Sequence, residues 1–265
     1  MTSLFRPFVF VLVCFLPAQT IWRADQASTL ERRFAPPPGF QRTPAAQGSF
    51  AQWLRRLPLK PGNPPVMLYN GRQKARQVHA AVVDMSVGTK DLLQCADALM
   101  RLRAEYLYGS GKTGAIAFHT TSGDLIPFSR WMKGERPVLT GGQISWRPGA
   151  PDGSYLSFSR YLEFIYTYSG TVSIKQDTRP VAFSEMVPGD LFLQSGSPGH
   201  AVMVADTAEK NGERLFLLVQ SYMPAQEIHV LKSDQGAWYR ARLVGTELVT
   251  PEWTFPRESL RRFLR

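Results

Sequence analysis

The chain has 265 residues, 44% of them hydrophobic and 12% aromatic, enough to bury a real core in one large domain or two small ones. That composition excludes a chain without a core. A formal net charge of +10 points to an anionic neighbour: nucleic acid, phospholipid or the charged polymers of a bacterial envelope.

The first residues choose among these. Arg6 precedes an apolar run from Phe8 to Leu16, and Pro17-Ala18 follows. One basic residue, a short apolar core and a small residue describe a secretory signal peptide over residues 1–18, with cleavage expected near Ala18. The run is shorter than the roughly 20 residues of a membrane span; an uncleaved anchor is the alternative. Val13 stands before Cys14 where a lipoprotein has a small residue, which argues against a lipid anchor. Export to the periplasm or the extracellular space makes nucleic acid a poor partner. Peptidoglycan or another anionic envelope polymer is expected instead, with membrane contact only through an uncleaved N-terminal segment.

If Cys14 leaves with the signal, Cys95 is the only thiol of the mature chain, and an unpaired cysteine in an exported protein is a candidate reactive group. His79, His119, His200 and His229 are scattered without paired-ligand spacing. No metal and no cofactor are expected.

Residues 19–48, rich in Ala, Gln, Arg and Pro, read as an extended linker before a single α+β domain over 49–265. Ser49 caps a short helix to Leu57, Val66–Tyr69 is a strand, Asn70-Gly71 a turn, and Val78–Met85 another strand. Asp91–Tyr108 is the clearest helix, with Leu92, Ala96, Leu99, Leu102 and Tyr106 on one face. Cys95 flanks that stripe about four residues in, where a helix N-terminus favours a thiolate less; the alternative is a small core residue. Arg103 falls inside the stripe, either snorkelling or paired to a buried carboxylate, or else lining a site. Ala115–His119 and Leu125–Phe128 form a hairpin. Trp131 and Trp146 bracket a Gly- and Pro-rich loop, as core anchors or as ligand-stacking rings. A second helix spans Ser157–Ser169, closed by Gly170. Strands at Arg214–Ser221, Glu227–Leu231 and Trp238–Val244 form an antiparallel meander, and Pro256 opens a final short helix.

Between the second helix and the meander lies Val187-Pro-Gly-Asp-Leu-Phe-Leu-Gln-Ser-Gly-Ser-Pro-Gly-His-Ala-Val-Met-Val-Ala-Asp206. It reads as strands Leu191–Gln194 and Ala201–Ala205 around a Gly- and Pro-bearing turn. His200 stands at the mouth of the second strand, where an imidazole serves as a base or is simply satisfied by a turn carbonyl.

Two resemblances follow from these residues. Through Gln94-Cys-Ala-Asp-Ala-Leu-Met-Arg-Leu-Arg-Ala-Glu-Tyr106, Pro198-Gly-His-Ala-Val202 and Gln220-Ser-Tyr-Met-Pro-Ala-Gln226, the chain resembles an uncharacterised bacterial family, domain of unknown function 4846. Val187-Pro-Gly-Asp-Leu-Phe192 followed by Gly199-His-Ala-Val202 resembles, over about residues 155–225, the histidine hairpin of papain-like NlpC and CHAP amidases. The second resemblance implies a papain-like core with helices packed on the meander. It also implies a cysteine at a helix N-terminus, a strand-borne base at His200, and an orienting polar group on the next strand at Gln220. It departs from the pattern at the nucleophile: Phe158, flanked by Ser157 and Ser159, stands where that family has its cysteine. Either the site is dead, a neighbouring serine serves, or the thiol comes from Cys95. The expectations are therefore an exported thiol amidase or peptidase acting on wall peptides through Cys95, His200 and Gln220, or a non-catalytic envelope binding or scaffolding protein.

Overall fold

The computed structural model describes residues 28–265. The signal segment, its cleavage point and Cys14 lie outside the described residues. The elements begin with α1 (Leu30–Arg33), β1 (Gln41–Arg42), α2 (Phe50–Arg55), β2 (His79–Val82) and α3 (Cys95–Gly109). Then come the hairpin β3 (Ala117–His119) and β4 (Leu125–Pro127), α4 (Phe128–Met132), the hairpin β5 (Glu135–Thr140) and β6 (Gln143–Pro148), α5 (Tyr155–Tyr168) and α6 (Thr171–Ile174). The rest is mostly strand: β7 (Thr178–Pro180), β8 (Leu191–Gln194), β9 (His200–Lys210), β10 (Glu213–Gln220), β11 (His229–Leu231) and β12 (Tyr239–Arg240). A last hairpin, β13 (Glu247–Val249) and β14 (Thr254–Pro256), precedes β15 (Leu260–Phe263). The class is α+β.

The main sheet runs β2-β11-β10-β9-β8-β15-β7, with β1 added to β9 and β12 to β10. Neighbouring strands are antiparallel. Both faces are covered, which is why Ala201–Ala205 is an unbroken apolar run instead of alternating with polar residues. Ala201, Met203 and Ala205 join the core formed with Leu99, Leu102 and Ile165 of the helical layer. Val202 and Val204 join Phe192, Phe216, Leu248 and Phe255 on the other face, under β13 and β14.

Residues 28–48 are not the expected linker. Leu30 is fully buried, and Gln41–Arg42 pairs with Glu209 and Ala208 of β9. The tie is electrostatic as well. Asp206, fully buried in β9, receives Arg42 Nε and Arg55 Nε at 2.6 Å each, and Arg42 Nη2 also donates to the carbonyls of Glu31 and Phe34. A buried carboxylate needs such partners, and two arginines from sequence-distant segments supply them.

Other boundaries shift for local reasons. Val66–Tyr69 makes isolated bridges only, and the loop between Trp131 and Trp146 is the β5–β6 hairpin turning at Gly141-Gly142. Pro256 opens a single short turn, Arg257–Ser259, and then β15, because Leu260 and Arg261 complete the edge of β8. Arg103 lies between Phe50, Tyr106 and Phe263, its guanidinium 5.0–5.9 Å from the three ring centres, so its charge is accommodated by aromatic faces.

Replacing Asp206 with Ala strands two guanidinium groups, one of them buried. The expected loss is about 3–5 kcal/mol of unfolding free energy, measured by denaturant unfolding; a midpoint unchanged from the parent protein would contradict this reading.

Candidate functional site

The site is built where β9 and β10 part. The Val204 amide donates to Asp190 on the β8 side, so the alternate amides of Met203 and Ala201 face β10. Pairing to β10 ends at Met203–Val219, and Ser221 turns away to donate its hydroxyl to the Leu93 carbonyl at 2.8 Å. The Ala201 N–H therefore points past the last pair, on the side of Cys95, whose thiolate it favours.

Cys95 is the first residue of α3, not a residue one turn inside it. The expected start at Asp91 fails because residues 91–94 are held elsewhere. The Ala225 amide donates to Asp91 Oδ1 at 2.7 Å, and the helix opens only at Gln94, whose amide donates to Asp97 Oδ2 at 3.1 Å. The backbone N–H groups of Cys95, Ala96 and Ala201 all favour thiolate there. Burial outweighs them. It is the first cause, with the Asp97 carboxyl second, that pushes the thiol up to about 11. Asp97 is itself held well above the carboxylate range by burial.

His200 turns to the opposite face of β9. Its ring is packed edge-on to Tyr222 with centres 4.7 Å apart, and beside Trp253 and Phe255 at 5.3 and 5.7 Å. Its Nε2 lies 2.9 Å from Gln220 Oε1, so the strand-borne imidazole and the polar group on the next strand are in contact. Burial pushes the imidazole down to about 4, against the Gln220 bond and with the Lys74 charge adding to the depression. Near neutral pH the resting pair is a neutral thiol and a neutral imidazole. Among the described residues no hydrogen bond joins them; the Ala201 amide, next in the chain after His200, is the group that relates the two. His200 is 1% exposed and Cys95 7%, and neither lines the two larger surface clefts, of about 440 and 880 Å³.

The turn before His200 is tightly constrained. Thr171 Oγ1 donates to the Gly196 carbonyl at 3.1 Å, and a β-carbon at Gly199 would lie 2.4 Å from both of those oxygens. Glycine is required there by close approach.

The remaining sequence candidates are employed elsewhere. Phe158 is fully buried and stacks on Tyr108 at 4.4 Å; Ser157 accepts from Trp131 Nε1, and Ser159 donates to the Tyr155 carbonyl. The α5 serines are thus engaged within the helical layer, and no serine there is offered to His200. His119 pairs with Asp177 at 2.7 Å, and His79 contacts the Pro64 carbonyl at 2.9 Å. Three neighbours escaped the sequence reading. Gln220 Nε2 donates to Glu252 Oε2 at 2.7 Å, Lys74 Nζ reaches Glu252 Oε1 at 2.6 Å, and Trp253 Nε1 donates to Gln194 Oε1 at 3.1 Å. Only Trp253, an aromatic in a turn, carried a signal of its own, since Lys74 and Glu252 look like ordinary surface charges.

Two outcomes are expected. Alkylation of native Cys95 by iodoacetamide, followed by intact mass, is slow at pH 7 and rises about tenfold per pH unit up to pH 10, as the thiolate fraction grows; a rate already at its plateau at pH 7 would contradict the burial argument. Gly199→Ala displaces the turn and lowers stability by about 1–3 kcal/mol in thermal unfolding; an unchanged melting temperature would contradict it.

Compared with known proteins, the chain matches no curated protein and no solved structure. One family matches over residues 30–262, spanning both the α3 start and the β8–β9 hairpin. The chain belongs to that family, described as Domain of unknown function (4846).

Proposed function

We propose that this chain is an exported thiol amidase or peptidase with a papain-like core, acting on cell-envelope peptides. Cys95 is the nucleophile, His200 the base and Gln220 the orienter. One observation supports the reading above the others: Gln220 occupies Nε2 of His200 and leaves Nδ1 as the ring nitrogen for proton transfer, while the Cys95 sulfur sits at the amide of the very next residue.

In the reaction the Cys95 sulfur and the imidazole are brought together where β10 leaves β9, and His200 takes the thiol proton as the sulfur bonds to the amide carbon. The C–N bond breaks, and the leaving amine takes that proton from His200. Water then attacks the thioester, giving one proton to His200 and releasing the acid, and the proton returns to the sulfur. The formal charge of +10 holds such a protein near anionic envelope polymers. A binding or scaffolding protein is the second reading. It is favoured by the buried thiol, pushed up to about 11, and by Phe158 where the NlpC pattern has its cysteine.

Turnover decides between them. Peptidoglycan-derived peptides are incubated with the parent protein, Cys95→Ala and His200→Ala, and products are followed by mass spectrometry. The hydrolase reading expects cleavage by the parent and a fall of about 10²-fold or more in each variant. Equal turnover in all three, or none in the parent, leaves the binding reading.

A further inference from the structure

A buried primary amide presents nearly the same shape in two orientations, and which one it takes decides which nitrogen of a neighbouring imidazole carries the proton. Gln220 is fully buried, so protein groups alone must make that choice. Its Nε2 lies 2.7 Å from Glu252 Oε2 and 3.4 Å from His229 Nε2. The Glu252 carboxylate, salt-bridged to Lys74 through its other oxygen, is an acceptor. His229 Nδ1 lies 2.9 Å from the Glu227 carbonyl, which can only accept. That nitrogen therefore carries the proton, and His229 Nε2 presents a lone pair to Gln220. Both hydrogens of the amide face acceptors, and reversing it would set Oε1 against a carboxylate and a lone pair together.

We infer that Glu252, together with His229, is the positioning pair that fixes the Gln220 amide and thereby holds His200 as the Nε2–H tautomer, with its lone pair on Nδ1. The polarity runs in one direction: Gln220 donates to Glu252 and His229, its Oε1 accepts from His200 Nε2–H, and Nδ1 is the basic nitrogen. Glu252 sits in the β13–β14 turn, 32 residues along the chain from Gln220, which makes that hairpin part of the site. Lys74 offsets the carboxylate's charge, so the pair sets direction instead of delivering net charge to the imidazole. The tautomer stands on geometry alone; its use in catalysis rests on the hydrolase reading above.

The test uses two double variants, one that keeps and one that removes the acceptor offered to Gln220. Lys74→Met with Glu252→Gln removes both charges and keeps a carbonyl. Lys74→Met with Glu252→Ala removes the acceptor too, and neither leaves a buried ion unpaired. Two-bond 1H–15N correlation spectra of histidine-labelled protein read the His200 tautomer, assigned by its loss in His200→Ala. The parent and the Gln variant are expected to show Nε2–H. The Ala variant is expected to shift to Nδ1–H or a mixture, with kcat on the peptidoglycan peptides lower by about 10²-fold at unchanged KM. Retention of Nε2–H in the Ala variant overturns the inference, whatever the turnover. A tautomer change in a protein that cleaves no peptide upholds it and overturns the hydrolase reading instead.

Discussion

Both faces of the central sheet are covered, and every polar group on its inner strands must therefore find a partner inside the protein. That constraint organises the molecule. Asp206 draws in two arginines from residues 42 and 55, and so pulls the N-terminal segment onto β9. Gln220 draws in the β13–β14 turn through Glu252. The Ala201 amide, released where β10 turns away, is met by a cysteine at a helix start. An unpartnered group at any of these points costs free energy on the scale of a protein's whole stability margin.

The same burial sets the chemistry. Withdrawal from water disfavours charge on both the thiol and the imidazole, so their titrations move apart, to about 11 and about 4. A helix N-terminus by itself favours thiolate, but Cys95 shows that desolvation outweighs three nearby N–H groups when the site is shut. In the proposed hydrolase a bound substrate would exchange solvent and dipoles around the sulfur and so alter that balance, whereas the inferred tautomer of His200 is set beforehand by groups away from the thiol.

Sequence reasoning reached the parts of this arrangement that local patterns encode. The β8–β9 hairpin was legible from its Gly- and Pro-bearing turn and α3 and α5 from their apolar periodicity, while Gln220 beside His200 was expected only through the resemblance to papain-like amidases. What escaped is long-range. The start of α3 moves from Asp91 to Cys95 because the Ala225 amide captures the Asp91 side chain, and nothing near residue 91 announces that contact. The Pro-rich stretch over 28–48 looks like a linker until Arg42 is seen beside Asp206, 164 residues away. Glu252 and Lys74 resemble surface charges in every local respect, and only their burial against Gln220 separates them from the rest.

The placement of β1 and β15 bears on how the molecule assembles. The first strand joins β9 and the last joins β8, so segments near the two ends of the described chain flank the hairpin that carries His200. Contacts of such sequence separation close large loops and form late, since the entropy of closure precedes any gain from the pairing. Residues 187–206 hold their histidine, but its surroundings are complete only when Glu252, Trp253 and β15 have joined the sheet. A growing chain released in order from its N-terminus thus presents Cys95 and His200 long before it presents the residues that surround them in the fold.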